Sequence, residues 1–264
     1  MNVAYNMDCM DALRKMPDLY FDLAVVDPPY GIRMDGGEIG GNNCAAVTRY
    51  AKKEWDREPP PPEYFRELVR VSKNQIIFGA NHFASRLPRV DTPCWIVWDK
   101  DNGGSDFADF EMAWTSFPSA ARLFRFRWAG MLQGNMKQKE VRIHPTQKPV
   151  ALYAWIFSKF ANHGEKILDT HLGSGSSRIA AYDAGLNFVG FEIDPDYFTA
   201  QEERYSAHTA QLSIFAGGGA ALKTIFRRLA AKVRRKGGTS GNQRENGRGG
   251  VSGVHGVPGG KGKI

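Results

Sequence analysis

The apolar run Leu23-Ala24-Val25-Val26 stops at Asp27-Pro28-Pro29-Tyr30, where two consecutive prolines leave a buried strand unable to continue. Each proline fixes its φ angle and removes a backbone donor, so the carbonyls of Asp27 and Pro28 are held away from any ladder partner. A stiff turn with free acceptors suits a fixed amine. An aromatic amine has its lone pair delocalised into the ring and is a poor nucleophile. A carboxylate and a carbonyl accepting its two N–H bonds would localise charge on the nitrogen, while Tyr30 stacks on the ring. Taken alone, the tetrapeptide also reads as a strand ending in a proline-stiffened loop without a ligand.

The pattern around this turn is one of alternating strands and helices. Asn2 to Tyr5 reads as a strand and 7–13 as a turn into a short helix; Phe21 to Val26 is the buried strand. Residues 31–44, with Gly36, Gly37, Gly40 and Gly41, read as a long loop where a lid would belong. Pro59 to Pro62 open a helix with Phe65, Leu68 and Val69 at helical spacing, followed by a strand over Gln75 to Gly79. Cys94 to Trp98 and Leu123 to Trp128 read as strands, separated by a Gly-rich, acidic stretch over 103–109. A helix from Pro149 to a stop at Gly164, a strand over Lys166 to Asp169, a helix over Ser177 to Asp183, a strand over Phe188 to Ile193 and a helix from Asp196 to Ala210 complete the series. Such alternation predicts an α/β, Rossmann-like, doubly wound and mainly parallel sheet.

Charge divides the chain. From Ala216 onward there are eleven Lys or Arg against the single acid Glu245, a local balance of +10; set against the chain total of +7, the residues before it sum to −3. Basicity therefore belongs to a tail, in which 220–235 keeps amphipathic helical spacing before a Gly-rich stretch expected to be disordered. No run is apolar enough to span a bilayer, no secretory layout opens the chain, and three unpaired cysteines fit a reducing compartment, so a cytoplasmic protein without membrane, disulfide or metal is expected.

A second constellation follows the strand at Lys166. Asp169-Thr170-His171-Leu172-Gly173-Ser174-Gly175-Ser176-Ser177 is a glycine turn opening a helix, and its glycines would let backbone approach a ligand at the helix N-terminus. Glu192 ends the next strand at about the distance where such folds hydrogen-bond a ribose hydroxyl. A dinucleotide site would want glycine where Arg178 stands.

Together these motifs resemble the DNA amino-methyltransferases, which methylate adenine N6 or cytosine N4. Asp27 to Tyr30 looks like their catalytic motif, Asp169 to Ser177 like the cofactor motif DPFxGSGT, and His144-Pro145-Thr146-Gln147-Lys148-Pro149 like the HPTQKP element. Asn6-Met7-Asp8 resembles the segment before their catalytic strand. The order, catalytic motif first and cofactor loop last, is that of the β class, a circular permutation of the S-adenosylmethionine-dependent methyltransferase fold, and the resemblance takes in many phage and prophage enzymes. Thr170, His171 and Ser176 depart from the pattern, and only about 110 residues separate Tyr30 from His144.

The resemblance implies S-adenosylmethionine as methyl donor and double-stranded DNA as partner, and it permits a homodimer; no partner endonuclease can be named. By carry-over, Asp27 and the Pro28 carbonyl accept the target amine, with Pro29 stiffening the turn and Tyr30 stacking on the flipped base. Asp8 is expected at the cofactor's adenine, Glu192 at its ribose, and Asp169, His171, Gly173, Ser174 and Gly175 at its methionine part, with His144 and Lys148 shaping that pocket. Asp8 as a helix cap and Asp194 as rival to Glu192 stay open. The Asp form of the tetrapeptide leans toward adenine N6. Pro93-Cys94 imitates the dipeptide of C5-cytosine enzymes but sits in an apolar strand, as a buried structural cysteine would. Residues 1–215 read as the methyltransferase domain, 32–141 including a small target-recognition region, and 216–264 as the basic tail.

Overall fold

The computed structural model describes residues 1–39, 48–87, 89–102, 108–129 and 132–216, and residues 1–212 make one compact unit. The strands are β1 (Asn2–Asn6), β2 (Phe21–Val26), β3 (Gly37–Ile39), β4 (Thr48–Tyr50), β5 (Ser72–Phe78), β6 (Trp95–Asp99), β7 (Phe110–Thr115), β8 (Arg122–Arg125), β9 (Trp128–Ala129), β10 (Leu132–Gln133), β11 (Lys166–Asp169) and β12 (Asn187–Glu192). Between them run the helices α1 (Cys9–Leu13), α2 (Pro62–Val71), α3 (Val150–Phe160), α4 (Ser176–Asp183) and α5 (Pro195–Ala216).

Eight strands form one sheet in the order β1-β12-β11-β2-β5-β7-β6-β8. Every neighbouring pair is parallel except those of β7, which runs antiparallel to both β5 and β6. The doubly wound, mainly parallel sheet expected from the sequence is thus present. The strand order reverses between β2 and β11, which pair through Ile167 with Leu23 and Leu168 with Ala24. From β2 the chain winds outward to β5, while β11 leads the other way to β12. Ligands bind in the crevice at such a reversal, beyond the carboxyl ends of the strands. Asp27 and Asp169 stand at those two ends.

Alternation along β2 divides the core between the faces. Leu23 and Val25 pack with Ile76, Phe78, Ile156 and Phe157 on the α3/α4 side. Ala24 and Val26 pack with Ile77, Phe65 and Leu68 on the α1/α2 side. Successive side chains of a strand point to opposite faces, so a run apolar at every position must be covered on both. α2 buries Tyr64, Phe65, Leu68 and Val71, while Val69, assigned to its apolar stripe from spacing, is only half-buried.

Several sequence expectations change here. β7 is not among the strands expected from the sequence; it directly follows the Gly-rich, acidic stretch and runs against the parallel alternation. The run over 123–128 is two elements: β8 ends at Arg125, and Trp128 belongs to a small hairpin of β9 with β10. The loop after Tyr30 contains β3, paired antiparallel with β4. Residues 40–47 and 103–107, Cys44 and the tail beyond Ala216, with its expected helix and disorder, lie outside the described residues. Cys94 is fully buried and free, as a structural cysteine would be. Among the described residues no His, Cys, Asp and Glu cluster could hold a metal ion, and no helix is long and apolar enough to cross a membrane.

Candidate active site

One cleft of about 260 Å³ opens at the strand-order reversal. Asp27 and Pro29 line it from the β2 side, Asp8 and Cys9 from the end of β1, and Thr170 to Ser174 with Glu192 from the glycine loop; His144 and Lys148 close it. The sequence elements read as catalytic turn, cofactor loop and intervening motif therefore meet in one cavity.

The catalytic turn is held by a residue no motif announced. Asp56, 2% exposed, accepts hydrogen bonds from the Tyr30 and Gly31 amides through Oδ1 (2.7 and 2.8 Å) and from the Met34 amide through Oδ2 (2.8 Å). These donors follow the prolines and have no ladder to join, so the carboxylate substitutes for a strand partner. The Tyr30 ring stacks on His82 at 5.1 Å and 15°. It also passes so close to Gly79, at φ +67°, that a Cβ there would lie 2.0 Å from Tyr30 Cε1. Only glycine fits that backbone conformation and that approach.

Asp27 is fully engaged. Tyr30 OH donates to Oδ1 at 2.6 Å and Lys148 Nζ to Oδ2 at 2.6 Å. Burial raises the Asp27 pKa and the Lys148 ammonium pulls it back, while Glu111 pushes it further up. Lys148 is itself buried, yet Asp27 and Glu111 together keep it protonated, with its pKa raised. The sequence reading grouped Lys148 with the methionine pocket; the side chain lines the cleft, and its ammonium bonds Asp27. Glu111 comes from β7. Its Oε2 lies 2.9 Å from Lys148 Nζ and its Oε1 2.6 Å from Lys100 Nζ. Burial opposes the Glu111 charge, but the two lysines outweigh it and hold the carboxyl at about 2.

The glycine loop is tied to its surroundings at each side. Glu192 accepts from the Gly173 amide through Oε2 (2.7 Å) and from the Asp194 amide through Oε1 (2.9 Å), and burial raises its pKa. Gly173 and Gly175 both adopt positive φ, at +51° and +73°. Asp169 accepts from the Ser177 hydroxyl and the His171 amide, yet burial lifts its pKa to about 7. Arg204 of α5 donates to the Ser174 carbonyl and to Glu140, which in turn accepts from the Val150 amide at the start of α3. Arg178, where a dinucleotide site would want glycine, is buried against Gln201, Glu202 and the Tyr205 ring.

Other residues settle or extend the sequence expectations. Asp8 caps α1 by accepting from the Met10 amide at 2.8 Å, and it also lines the cleft. Asp194 is committed elsewhere, pairing with Lys53 at 2.9 Å and accepting from the Asp196 and Tyr197 amides at the start of α5. His171 meets Tyr64 edge-on at 5.3 Å, its Nδ1 2.9 Å from the Thr170 hydroxyl, which also bonds Tyr64 OH. Burial pushes His171 down to about 4, and burial with the nearby Lys148 charge pushes His144 to about 3, so both imidazoles are neutral at pH 7. His144 sits between Trp55 (5.1 Å) and Tyr197 (4.3 Å), neither marked by a motif. Among the basic side chains, Arg49, Lys53, Arg125 and Arg127 are paired with carboxylates, whereas Lys52 and Arg57 are exposed.

A family model described as DNA methylase matches residues 97–203. Over these residues the chain is similar to the N6/N4 DNA methylase family. Among similar proteins, the Type II methyltransferase M2.MboI of Moraxella bovis is 23% identical over 245 residues, covering 79% of this chain and 89% of the relative. The structure of an M1.HpyAVI–SAM complex superimposes with a TM-score of 0.50 at 20% identity, covering 77% of this chain and 98% of that one. The PvuII DNA methyltransferase, named as cytosine-N4-specific, gives 0.51 at 11% identity, covering 79% and 91%. These structures share the fold of this chain. The matched segment includes Glu111, the His144 element, the glycine loop and Glu192, and stops short of Asp27.

Proposed function

We propose that this protein transfers a methyl group from S-adenosylmethionine to the exocyclic amine of a base flipped out of double-stranded DNA, with adenine N6 as the acceptor. The observation that carries the reading is the shared cleft: the Asp27 turn and the Gly173 loop leave adjacent parallel strands at the point where strand order reverses.

The donor set suits this cofactor. Asp8, Asp27 and Glu192 line the cleft, and Lys148 is the one Lys or Arg among the described lining residues. Three carboxylates would repel a diphosphate but accept ribose hydroxyls and tolerate a positive sulfonium. Trp55 also lines the cleft, and its buried Nε1–H has no acceptor, a donor that a bound ligand could satisfy. Asp8 and Glu192 would hold the adenosine part, and the Asp169 to Gly175 turn with His171 and His144 the methionine part.

S-adenosylmethionine supplies a methyl carbon that the amine nitrogen can take in one in-line displacement while sulfur keeps the bonding pair. The protein's work is to make the nitrogen electron-rich and aligned. Asp27 and the Pro28 carbonyl accept the two amine hydrogens, and one of those protons leaves after transfer. Tyr30, its plane fixed by His82 and Gly79, stacks on the base. A base in a duplex must be flipped to reach this depth, at a cost of a few kcal/mol.

The Asp form of the turn favours adenine over cytosine. Residues 1–215 are assigned to catalysis, with target recognition drawn from 32–141, and the basic tail of 216–264 to sequence-independent phosphate attraction. Labelled methyl transfer to DNA, RNA and protein, compared with Asp27→Ala, tests the reading: label on DNA that the substitution abolishes supports it, and label on RNA or protein alone overturns it.

A further inference from the structure

Both oxygens of Asp27 are already engaged. One takes the Tyr30 hydroxyl and the other the Lys148 ammonium, each at 2.6 Å. A target amine that seats on Oδ2 competes there with the Lys148 ammonium. Tyr30 OH can turn to other acceptors, but Lys148 is 4% exposed, and a buried ammonium that loses its only counter-ion is strongly destabilised. Displacement is therefore feasible only if a second anion already stands within reach.

Glu111 meets that requirement. Its Oε2 lies 2.9 Å from Lys148 Nζ, inside ion-pair range, yet this buried oxygen has no aligned hydrogen-bond partner. The well-aligned donations of Lys148 go to Asp27 and Tyr30. Glu111 Oε1 is anchored by Lys100 Nζ at 2.6 Å, with Lys100 in turn over the Trp98 ring, so the carboxylate is fixed in place and charged before Lys148 needs it. Glu111 also stands apart from the cleft, whose lining includes Asp27 and Lys148 but not Glu111. It can therefore hold Lys148 without meeting the base.

We propose, on the basis of the amino-methyltransferase reading above, that Glu111 is a positioning residue: it receives Lys148 when the target amine takes over Asp27 Oδ2, and so opens the acceptor site. No bond is made or broken in this step. The ammonium swings from one carboxylate to the other, and both charges stay paired. Without the Glu111 charge, Lys148 stays locked on Asp27 and the flipped base cannot seat its amine.

The test is Glu111→Gln in the full chain, followed with a DNA substrate and S-adenosylmethionine. Binding of S-adenosylhomocysteine and of DNA should be unchanged, because neither ligand meets Glu111. The fluorescence of 2-aminopurine at the target position should rise on binding as in wild type, because flipping precedes seating. The rate constant kcat should fall by about ten- to a hundredfold, the range expected when a positioning contact near the chemistry is lost. Glu111→Asp, which keeps the charge, should recover a substantial part of the rate. Adding Lys148→Met to Glu111→Gln should cause little further loss, because the locked ammonium is then gone. An unchanged kcat in Glu111→Gln, or a loss equally large in Glu111→Asp, or fully multiplicative losses in the double variant, would overturn the proposal while leaving the methyltransferase reading intact. A wild-type protein that labels no DNA would overturn both.

Discussion

Asp56 makes a prediction that separates the catalytic turn's anchoring from its chemistry. It is not among the residues lining the cleft, yet its two oxygens take three backbone donors, from Tyr30, Gly31 and Met34, at 2.7 to 2.8 Å. Asp56→Asn can keep the oxygen that serves Tyr30 and Gly31 but turns an NH2 toward the Met34 amide, leaving one donor unmet at a cost of about 1–3 kcal/mol. Asp56→Ala strands all three. Simple addition would give roughly 3–9 kcal/mol, but Gly31 is only half-buried and can recover water, so about 3–5 kcal/mol is the reasoned figure. Urea unfolding should show this order, alanine worse than asparagine worse than wild type. In a domain of this size each kcal/mol should lower Tm by about 2–4 °C. Methyl transfer, assayed well below the variant's Tm, should fall by about a hundredfold in Asp56→Ala, because a turn displaced by 1 Å misplaces Asp27. An Asp56→Ala protein within about 0.5 kcal/mol of wild type, a change typical of neutral surface sites, and with full activity would refute the anchoring argument.

Other perturbations probe other parts of the cleft. Gly79→Ala drives a methyl to 2.0 Å from the Tyr30 ring at a φ of +67°, so methyl transfer should be lost while S-adenosylhomocysteine binding, measured by calorimetry, persists. Trp55 lines the cleft with an unpaired indole N–H, so binding of S-adenosylhomocysteine should quench tryptophan emission in wild type and much less in Trp55→Phe, with weaker affinity in the variant. Asp169 titrates near 7 when folded against about 3.9 unfolded. Its contribution to stability is therefore present below pH 4 and lost as pH rises to 7, because the unfolded state sheds that proton first. The stability of wild type relative to Asp169→Asn, from urea titrations at pH 4.5 and 7.5, should fall with rising pH; a constant difference would contradict the buried, raised carboxyl. Truncation after Phe215 should lessen the salt dependence of DNA binding with little change in kcat.

The parts of the site that are contiguous in sequence were legible in it. Asp27 to Tyr30, His144 to Pro149 and Asp169 to Ser177 each carry their geometry locally, through paired prolines or positive-φ glycines, and alternation of short strands with helices was enough to predict the sheet. What escaped is what the fold assembles from a distance. Asp56 lies 26 residues from Tyr30 and reaches it through loop closure, which no spacing rule encodes. Glu111 had a faint signal: Phe110-Glu111-Met112-Ala113-Trp114 is a short strand-like run, and a lone acid within it calls for a buried cation. The acid was hidden by the glycines preceding it and by the antiparallel course of β7, which breaks the parallel alternation. Lys148 was marked by its motif and lines the cleft, but its bond to Asp27 at the end of β2 joins residues 121 apart, which no local pattern encodes. Trp55 sits in a segment without periodicity and Tyr197 in the first turn of α5; both gain meaning only by flanking His144.

The central claim is tested most directly by incubating the full-length protein with unmethylated DNA and methyl-labelled S-adenosylmethionine, digesting the DNA to nucleosides and identifying the labelled one by mass spectrometry. Label in N6-methyladenine, absent with Asp27→Ala, is the predicted result. Label in N4-methylcytosine would keep the amino-methyltransferase mechanism and overturn the adenine assignment, and an intact, cofactor-binding protein that leaves DNA unlabelled would contradict the account as a whole.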